Sequence, residues 1–289
     1  MTYAIGLGSA LVASLLFNVG IALQGIEARA APRRLGLRLS LLARLLQRPR
    51  WVAGWVLGTL GIGPQVLALA DAPFVVIQPA LAAGLLVLLV LGARTFHEHV
   101  GVIEVVGVLA IIGGVALVAL GAPPRVETQR GVAAVVGVVG VLSACSLAPF
   151  AWRGTRFDTG LLANLASGCG FAASNIATKL LSDDVGRAHF IAAIVWAAVL
   201  VLTGVAATVT AMTAFQRLRA TTVVPINTAV QTFLPIVLEP LFLREHWTSA
   251  ELGGAPVAIG LVAALLGAIL VTRTRAVSQL AAAVQNGGA

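Results

Sequence analysis

The chain has 289 residues, of which 59% are apolar and only 10% charged, with a formal net charge of +8. A mean hydropathy of +0.99 excludes an ordinary soluble domain, in which about a quarter of residues are charged. The positive balance comes from 18 Arg and one Lys set in short loops between apolar stretches; such charges are topology signals of a membrane protein, and nucleic acid is excluded as a partner.

About 20 apolar residues cross a bilayer as a helix. Nine such stretches can be drawn, at 3–25, 51–70, 72–93, 101–121, 131–151, 159–180, 188–215, 220–243 and 252–272. The expected fold class is therefore an all-α polytopic membrane protein of about nine transmembrane helices. The first stretch has no basic region before it and is too long for a signal-peptide core, so it is taken as a retained helix. It carries Ser14 and Asn18 one turn apart.

The loop 26–50 holds seven Arg. Within it, Leu35 to Gln47 places Leu37, Leu41, Leu42 and Leu45 on one face and Arg38 and Arg44 elsewhere. That pattern suits an amphipathic segment lying on the membrane surface, with a tenth, distorted span as the alternative. Asp71 falls between the second and third stretches, and Gln78 precedes Pro79 within the third. Cys145, in 131–151, and Cys169, in 159–180, lack a metal-ligand spacing and read as small buried hydrophobes.

Stretch 159–180 is the most polar. Asn164, Ser167, Asn175 and Thr178 share one face at 100° per residue. Such a stripe lines a cavity or supplies interhelical hydrogen bonds. Asn18 and Asn175 pair at an offset of 157 between the first and sixth stretches. Lys179, near the end of the stripe, snorkels and pairs with Asp183 at i,i+4. Stretch 188–215 exceeds what a bilayer needs and must tilt or project. Stretch 220–243 contains Pro225, Pro235 and Pro240, with Asn227 and Gln231 one turn apart and Glu239 near its end. Proline frees carbonyls in a membrane helix, and broken helices build transport sites.

A repeat underlies this order. Glu98, His99, Glu104 and Gly107 return 147 residues later as Glu245, His246, Glu251 and Gly254, and Gly113 matches Gly260 at the same offset. Pro79 and Pro225 fall one residue out of register. The four Glu sit at helix starts, where the dipole alone favours them. Repeat and spans give a first unit at 1–121, a linker helix at 131–151, a second unit at 159–272 and a tail at 273–289.

If loop 26–50 is cytoplasmic, 14 Arg lie inside and four outside, which is the bias of an inner-membrane protein. The N-terminus is then outside and the C-terminus cytoplasmic. Trp51 and Trp152 fall at the inner interface, and Tyr3 and Trp247 at the outer. The two units run in opposite senses, as inverted repeats around a midplane site.

The chain also offers a resemblance. Gly-Leu-Gly-Ser-Ala followed by Phe-Asn-Val-Gly in the first helix, the Arg-rich loop, Trp51-Val-Ala-Gly54, Ala-Asp-Ala-Pro73, Gln-Pro79, the Glu98 turn and the Gly107 to Gly114 helix occur in the order of the drug/metabolite transporter superfamily (EamA-like). Within it, the layout resembles the nine-helix NIPA-type magnesium transporters. The family's Asn-Glu-Arg-Leu-like turn reads His97-Glu98-His99-Val100 and Arg244-Glu245-His246-Trp247 here. The resemblance implies a secondary carrier of a small solute without a covalent cofactor. No HExxH, G-x-S-x-G, P-loop or dinucleotide fingerprint is present, so no enzyme is expected.

The expected cavity lining is Asn18, Gln78, Asn164, Asn175, Asn227 and Gln231. Glu239 and Asp71 are the coupling or cation residues, and Pro79, Pro225 and Pro235 the gating kinks. Oxygen ligands suit magnesium, so Asp71 and Glu239 also admit a NIPA-like magnesium pathway. A non-transporting membrane scaffold is the third reading. The partners are a small molecule or cation and the lipid bilayer; nothing in the residues sets an oligomeric state.

Overall fold

A computed structural model of the chain describes residues 2–71, 80–95, 100–121, 132–155, 159–186, 188–243 and 255–286. All regular structure among them is helical: α1 (Thr2–Ala30), α2 (Leu39–Leu46), α3 (Pro49–Asp71), α4 (Gly84–Thr95), α5 (Val102–Gly121), α6 (Val132–Ala151), α7 (Gly160–Gly186), α8 (Phe190–Arg217), α9 (Ala220–Leu243) and α10 (Ala255–Asn286), with a 3-10 turn at Arg33–Leu35. Two of the described stretches, Ile5–Ala30 and Phe190–Arg217, are long and apolar enough to cross a bilayer. Shorter apolar runs occupy Ala80–Leu91, Val102–Val118, Val135–Ala151 and Ala255–Val271. The last helix continues to Asn286, so residues 273–286 extend it rather than form a separate tail.

Small residues let these helices approach closely. In α1 and α3, which run antiparallel, a Cβ at Gly20 would lie 2.5 Å from the Gly54 carbonyl oxygen, and one at Gly61 would lie 2.9 Å from the Phe17 ring. In α7 and α8, Gly170 faces Ala207, and Ser174 and Thr203 share a hydroxyl hydrogen bond of 2.9 Å. In α5 and α10, Gly107, Gly114 and Gly121 recur every seven residues and meet Val271, Gly260 and Val257 respectively. Residue numbers rise along α5 as they fall along α10, so this pair is antiparallel as well. The turn from α7 to α8 is tight: Ala188 has φ of 59°, and the His189 amide donates to the Asp184 carbonyl at 2.8 Å.

The surface is apolar and part of the interior polar. Ile191, Ile194 and Leu202 are 85%, 70% and 70% exposed, whereas Asn164, Ser167, Thr210 and Thr213 are 0% exposed. In water this partition would be inverted.

The Arg-rich segment lays the leucine face expected against lipid onto protein instead. Its leucines Leu37, Leu41 and Leu45 are at most 2% exposed, and Leu41 and Leu45 pack on protein within a cluster that includes Met212 and Phe215. A helix of eight residues is also far too short for a tenth span, which needs about 20. The segment is a strap across the end of α8. Arg29 donates to the carbonyls of Phe215 at 3.3 Å and Leu218 at 3.0 Å. The Leu37 amide donates to Thr213 Oγ1 at 2.9 Å, and Gln216 Nε2 donates to the Ala31 and Pro32 carbonyls at 3.3 Å. Trp51 is 3% exposed and its indole N–H reaches Met212 Sδ at 3.3 Å. It is thus a core residue, not the interfacial one its position implied, while Trp152 is 44% exposed. The physical reason is α8 itself. Its 28 residues reach about 42 Å at 1.5 Å per residue, against a hydrocarbon core of about 30 Å. The surplus turns offer carbonyls and an apolar face, and the strap covers both.

The close helix pairs make a direct prediction. A Cβ at Gly113 would meet nothing within 4 Å, whereas one at Gly114 would sit 2.5 Å from the Gly260 carbonyl oxygen. Gly114→Ala should therefore cost about 1–3 kcal/mol through overpacking, while Gly113→Ala is neutral or slightly stabilising. Thermal melting of the two detergent-purified variants checks this; equal midpoints would rule out the close pairing.

Candidate functional site

Two polar clusters lie in the helix bundle, one in each half of the chain. The first is built on a break. The helical run at 80–82 stops at Ala83, and α4 starts afresh at Gly84, with the Leu86 amide bonded to the Ala83 carbonyl at 2.9 Å. The interruption removes an intrahelical donor from the Leu81 carbonyl. Ser14 Oγ supplies one at 2.5 Å, and Asn18 Nδ2 donates to the Ser14 carbonyl at 2.8 Å. Ser14 and Asn18 are 2% and 8% exposed. Gly84 lies hard against Ser14 Oγ and Asn18 Nδ2, leaving no room for a side chain there.

The second cluster joins α7 to α9. Asn164 Nδ2 donates to the Val223 carbonyl at 3.0 Å, and Asn227 Nδ2 donates to Ser167 Oγ at 2.8 Å. Between them Gly168 sits against Val230, 2.6 Å from where its Cβ would be. Asn164 Oδ1 is buried without a partner, as are Ser146 Oγ and Gln216 Oε1. Leaving such an acceptor unpaired costs about 1–3 kcal/mol.

The face of α7 that packs on α9 continues past Gly168 through Phe171, Asn175 and Thr178, all within about 50° of Asn164 at 100° per residue. Yet Asn175 and Thr178 are exposed. By Leu234, α9 has moved to the α6 side, where that side chain packs with Val138, Leu142, Ala172 and Ala173. The polar stripe is thus bonded shut at the end near the strap and uncovered at the far end.

Other expected site residues fall as follows. Asn18 and Asn175, which the sequence pairs, differ: the first is buried and bonded within α1 and against α4, the second exposed. Asn164, Ser167 and Asn227 are brought together, and Gln231 is half-buried one turn further along α9. Pro225 is buried, and α9 runs unbroken from Ala220 to Leu243 through Pro225 and Pro235. The broken element is the other proline-bearing one, four residues after Pro79. Gln78 and Pro79 lie outside the described residues, as do the side chains of Asp71, Lys179, Pro235 and Glu239. Of the repeated block, residues 96–99 and 244–254 also lie outside. Glu104 closes the start of α5, its Oε2 accepting from the Gly101 amide at 2.9 Å, as its place at a helix start implied.

One polar set went unread in the sequence: Thr203, Thr210, Thr213 and Gln216 of α8, all buried. Their spacing of three and seven was available as a signal. Thr210 and Thr213 donate to the carbonyls four residues back at 2.8 Å, which hides their hydroxyls within the helix and makes such residues look bland. Among the described residues no three His, Cys, Asp or Glu side chains gather as a metal site. The chemistry of the two clusters is amide, hydroxyl and main-chain carbonyl, suited to hydrogen bonding.

Comparison with protein-family models, with curated proteins and with solved structures finds no match for this chain.

The uncovered stripe is testable by labelling. In a background without Cys145 and Cys169, Asn175→Cys should react with a charged, water-soluble thiol reagent, and Ser167→Cys should not. Failure of Asn175→Cys to react in membranes, alongside a lipid-soluble reagent that does label it, would place this face against lipid.

Proposed function

We propose that this chain is a multi-pass membrane carrier of the drug/metabolite transporter type, built of two inverted halves and moving a small polar solute by alternating access. The observation that carries the reading is the split polar face of α7. It is sealed by Asn164, Ser167 and Asn227 at one end and opens at Asn175 and Thr178 at the other. A carrier needs a polar path closed on one side at a time, and polar side chains at bilayer depth are costly unless they face protein or water. The apolar exterior supports nine spans in place of the two that length and composition alone assign. The antiparallel pairing of α5 with α10, around Gly114 and Gly260, supports inverted halves, since those helices hold Gly113 and Gly260, which match at an offset of 147.

On this reading the strap end faces the cytoplasm, by the arginine asymmetry, and the described state is closed inside and open outside. Amides, hydroxyls and the Leu81 and Val223 carbonyls select a solute that both donates and accepts hydrogen bonds. The unpartnered Asn164 Oδ1 is an acceptor that a solute N–H or O–H satisfies when α9 shifts. Glu239, in the open half of α9, is the coupling carboxylate, with Asp71 at the same end.

The test begins with a thermal-shift screen of purified protein and continues with its best ligand in proteoliposomes. A carrier accelerates uptake of labelled solute when unlabelled solute is preloaded, and Asn227→Ala should lower that exchange at least about tenfold, since an unpaired Ser167 and a lost solute contact each cost about 1 kcal/mol or more. Uptake of magnesium without any counterflow would favour the channel-like cation pathway. Absence of any ligand-induced shift and of any uptake would favour the scaffold.

A further inference from the structure

The strap exposes what it does not bury. Arg33, Arg34, Arg38, Arg44, Arg48 and Arg50 are all exposed, and among the described residues none of the six pairs with a carboxylate. Around α2 the side chains divide into three sectors at 100° per residue. Leu41 and Leu45 point into the protein at 0% and 1% exposure. Leu39 and Leu46, 65% and 57% exposed, form one flank beside the half-buried Leu42. Arg44 lies on the opposite flank, and Arg48 follows just beyond the helix end. A helix with an apolar flank and a basic flank, fixed to the end of a membrane bundle, sits at the level of the lipid headgroups.

We propose that the outer face of the strap is a docking surface for anionic phospholipid headgroups. The lipid is the occupant by charge and by depth. Six guanidinium groups within 18 residues match phosphate geometry and a negative leaflet, while Leu39 and Leu46 reach only the acyl chains beside such headgroups. Docking has a mechanical result. The same segment holds α8 through Arg29, Leu37 and Gln216, so lipid that steadies the strap steadies the closed end of the bundle. The proposal rests on the membrane reading above and adds the class of lipid.

The experiment uses the full chain in neutral detergent, titrated with phosphatidylglycerol, with phosphatidylcholine and with inorganic phosphate, reading the melting midpoint. Phosphatidylglycerol should raise the midpoint and the other two should not. The shift should shrink at about 0.5 M salt, where the Debye length is only a few ångström. Arg44→Gln with Arg48→Gln and Arg50→Gln should raise the half-saturating lipid concentration about tenfold or more, each arginine near an anionic surface adding several-fold. Equal stabilisation by phosphatidylcholine, reproduction of the shift by free phosphate, or an unchanged titration in the triple variant overturns the docking surface. The wild-type lipid preference and its salt dependence decide the matter even where the triple variant fails to fold. A chain that stays dispersed without detergent overturns the membrane reading itself, and this proposal with it.

Discussion

Close backbone approach at glycine is the constraint on which the arrangement depends. Helices surrounded by lipid gain little from burying apolar side chains against each other, because acyl chains are as apolar as leucine. What remains is van der Waals contact at short range and hydrogen bonding. Gly20 with Gly54, and Gly107, Gly114 and Gly121 with the face of α10 around Gly260 and Gly267, bring main chains to distances that any side chain would forbid. On the membrane reading the glycine also costs little. Its backbone entropy is a penalty in water, but a helix at bilayer depth has no solvated unfolded alternative for its N–H and C=O groups.

Glycine contacts fix where helices cross; the polar contacts sort those crossings by strength. Interhelical hydrogen bonds in membranes average only about 0.6 kcal/mol, so Asn164 to Val223 or Asn227 to Ser167 holds α7 and α9 weakly. The strap holds α8 with a guanidinium on two end carbonyls, a buried amide bond and the packed Trp51. Charged donors contribute about twice a neutral bond. The bundle is therefore firm at the strap and at the α5 with α10 crossing, and soft along the face of α7 that bears the polar stripe. A weakly held polar seam beside rigid crossings is where two packings of similar energy can coexist.

Much of this was legible in the residues, and the failures have physical causes. Helix positions followed from apolar length, and the 3.6-residue period put Asn164 and Ser167 on one face, which the structure sets against α9. The offset of 147 anticipated that α5 and α10 are related, and they meet at Gly114 and Gly260, next to the matched pair Gly113 and Gly260. The pairing of Asn18 with Asn175 was read from residue type and a shared depth in their helices, and the two side chains differ in cover, the first buried and the second exposed. The strap was legible as amphipathic, but a hydrophobic face carries no mark saying whether lipid or protein covers it. Proline, likewise, does not by itself say where a helix breaks. Pro225 and Pro235 sit within an unbroken helix, and the break came at Ala83, where Ser14 stands ready to bond the freed Leu81 carbonyl. A helix yields where a neighbour can satisfy the released groups, and that neighbour is 67 residues away in the chain.

The two halves are thus alike in plan and different in detail, and on the carrier reading this difference has a cause. Alternating access in an inverted repeat requires the halves to hold unlike conformations at any moment and to exchange them. Here the helical run before α4 is interrupted at Ala83, while α9, its counterpart by the Pro79 and Pro225 match, is continuous. Ser14 and Asn18 close on Gly84, and Asn175 stands uncovered. The strap breaks the symmetry further, because only three residues separate α7 from α8 on the opposite side, where the strap has an 8-residue helix. An element present on one side only biases the exchange toward the state in which its bonds to α8 are made. The inner end then opens only as far as the solute's own contacts offset the loss of those bonds, which ties the rate of opening to occupancy of the polar seam.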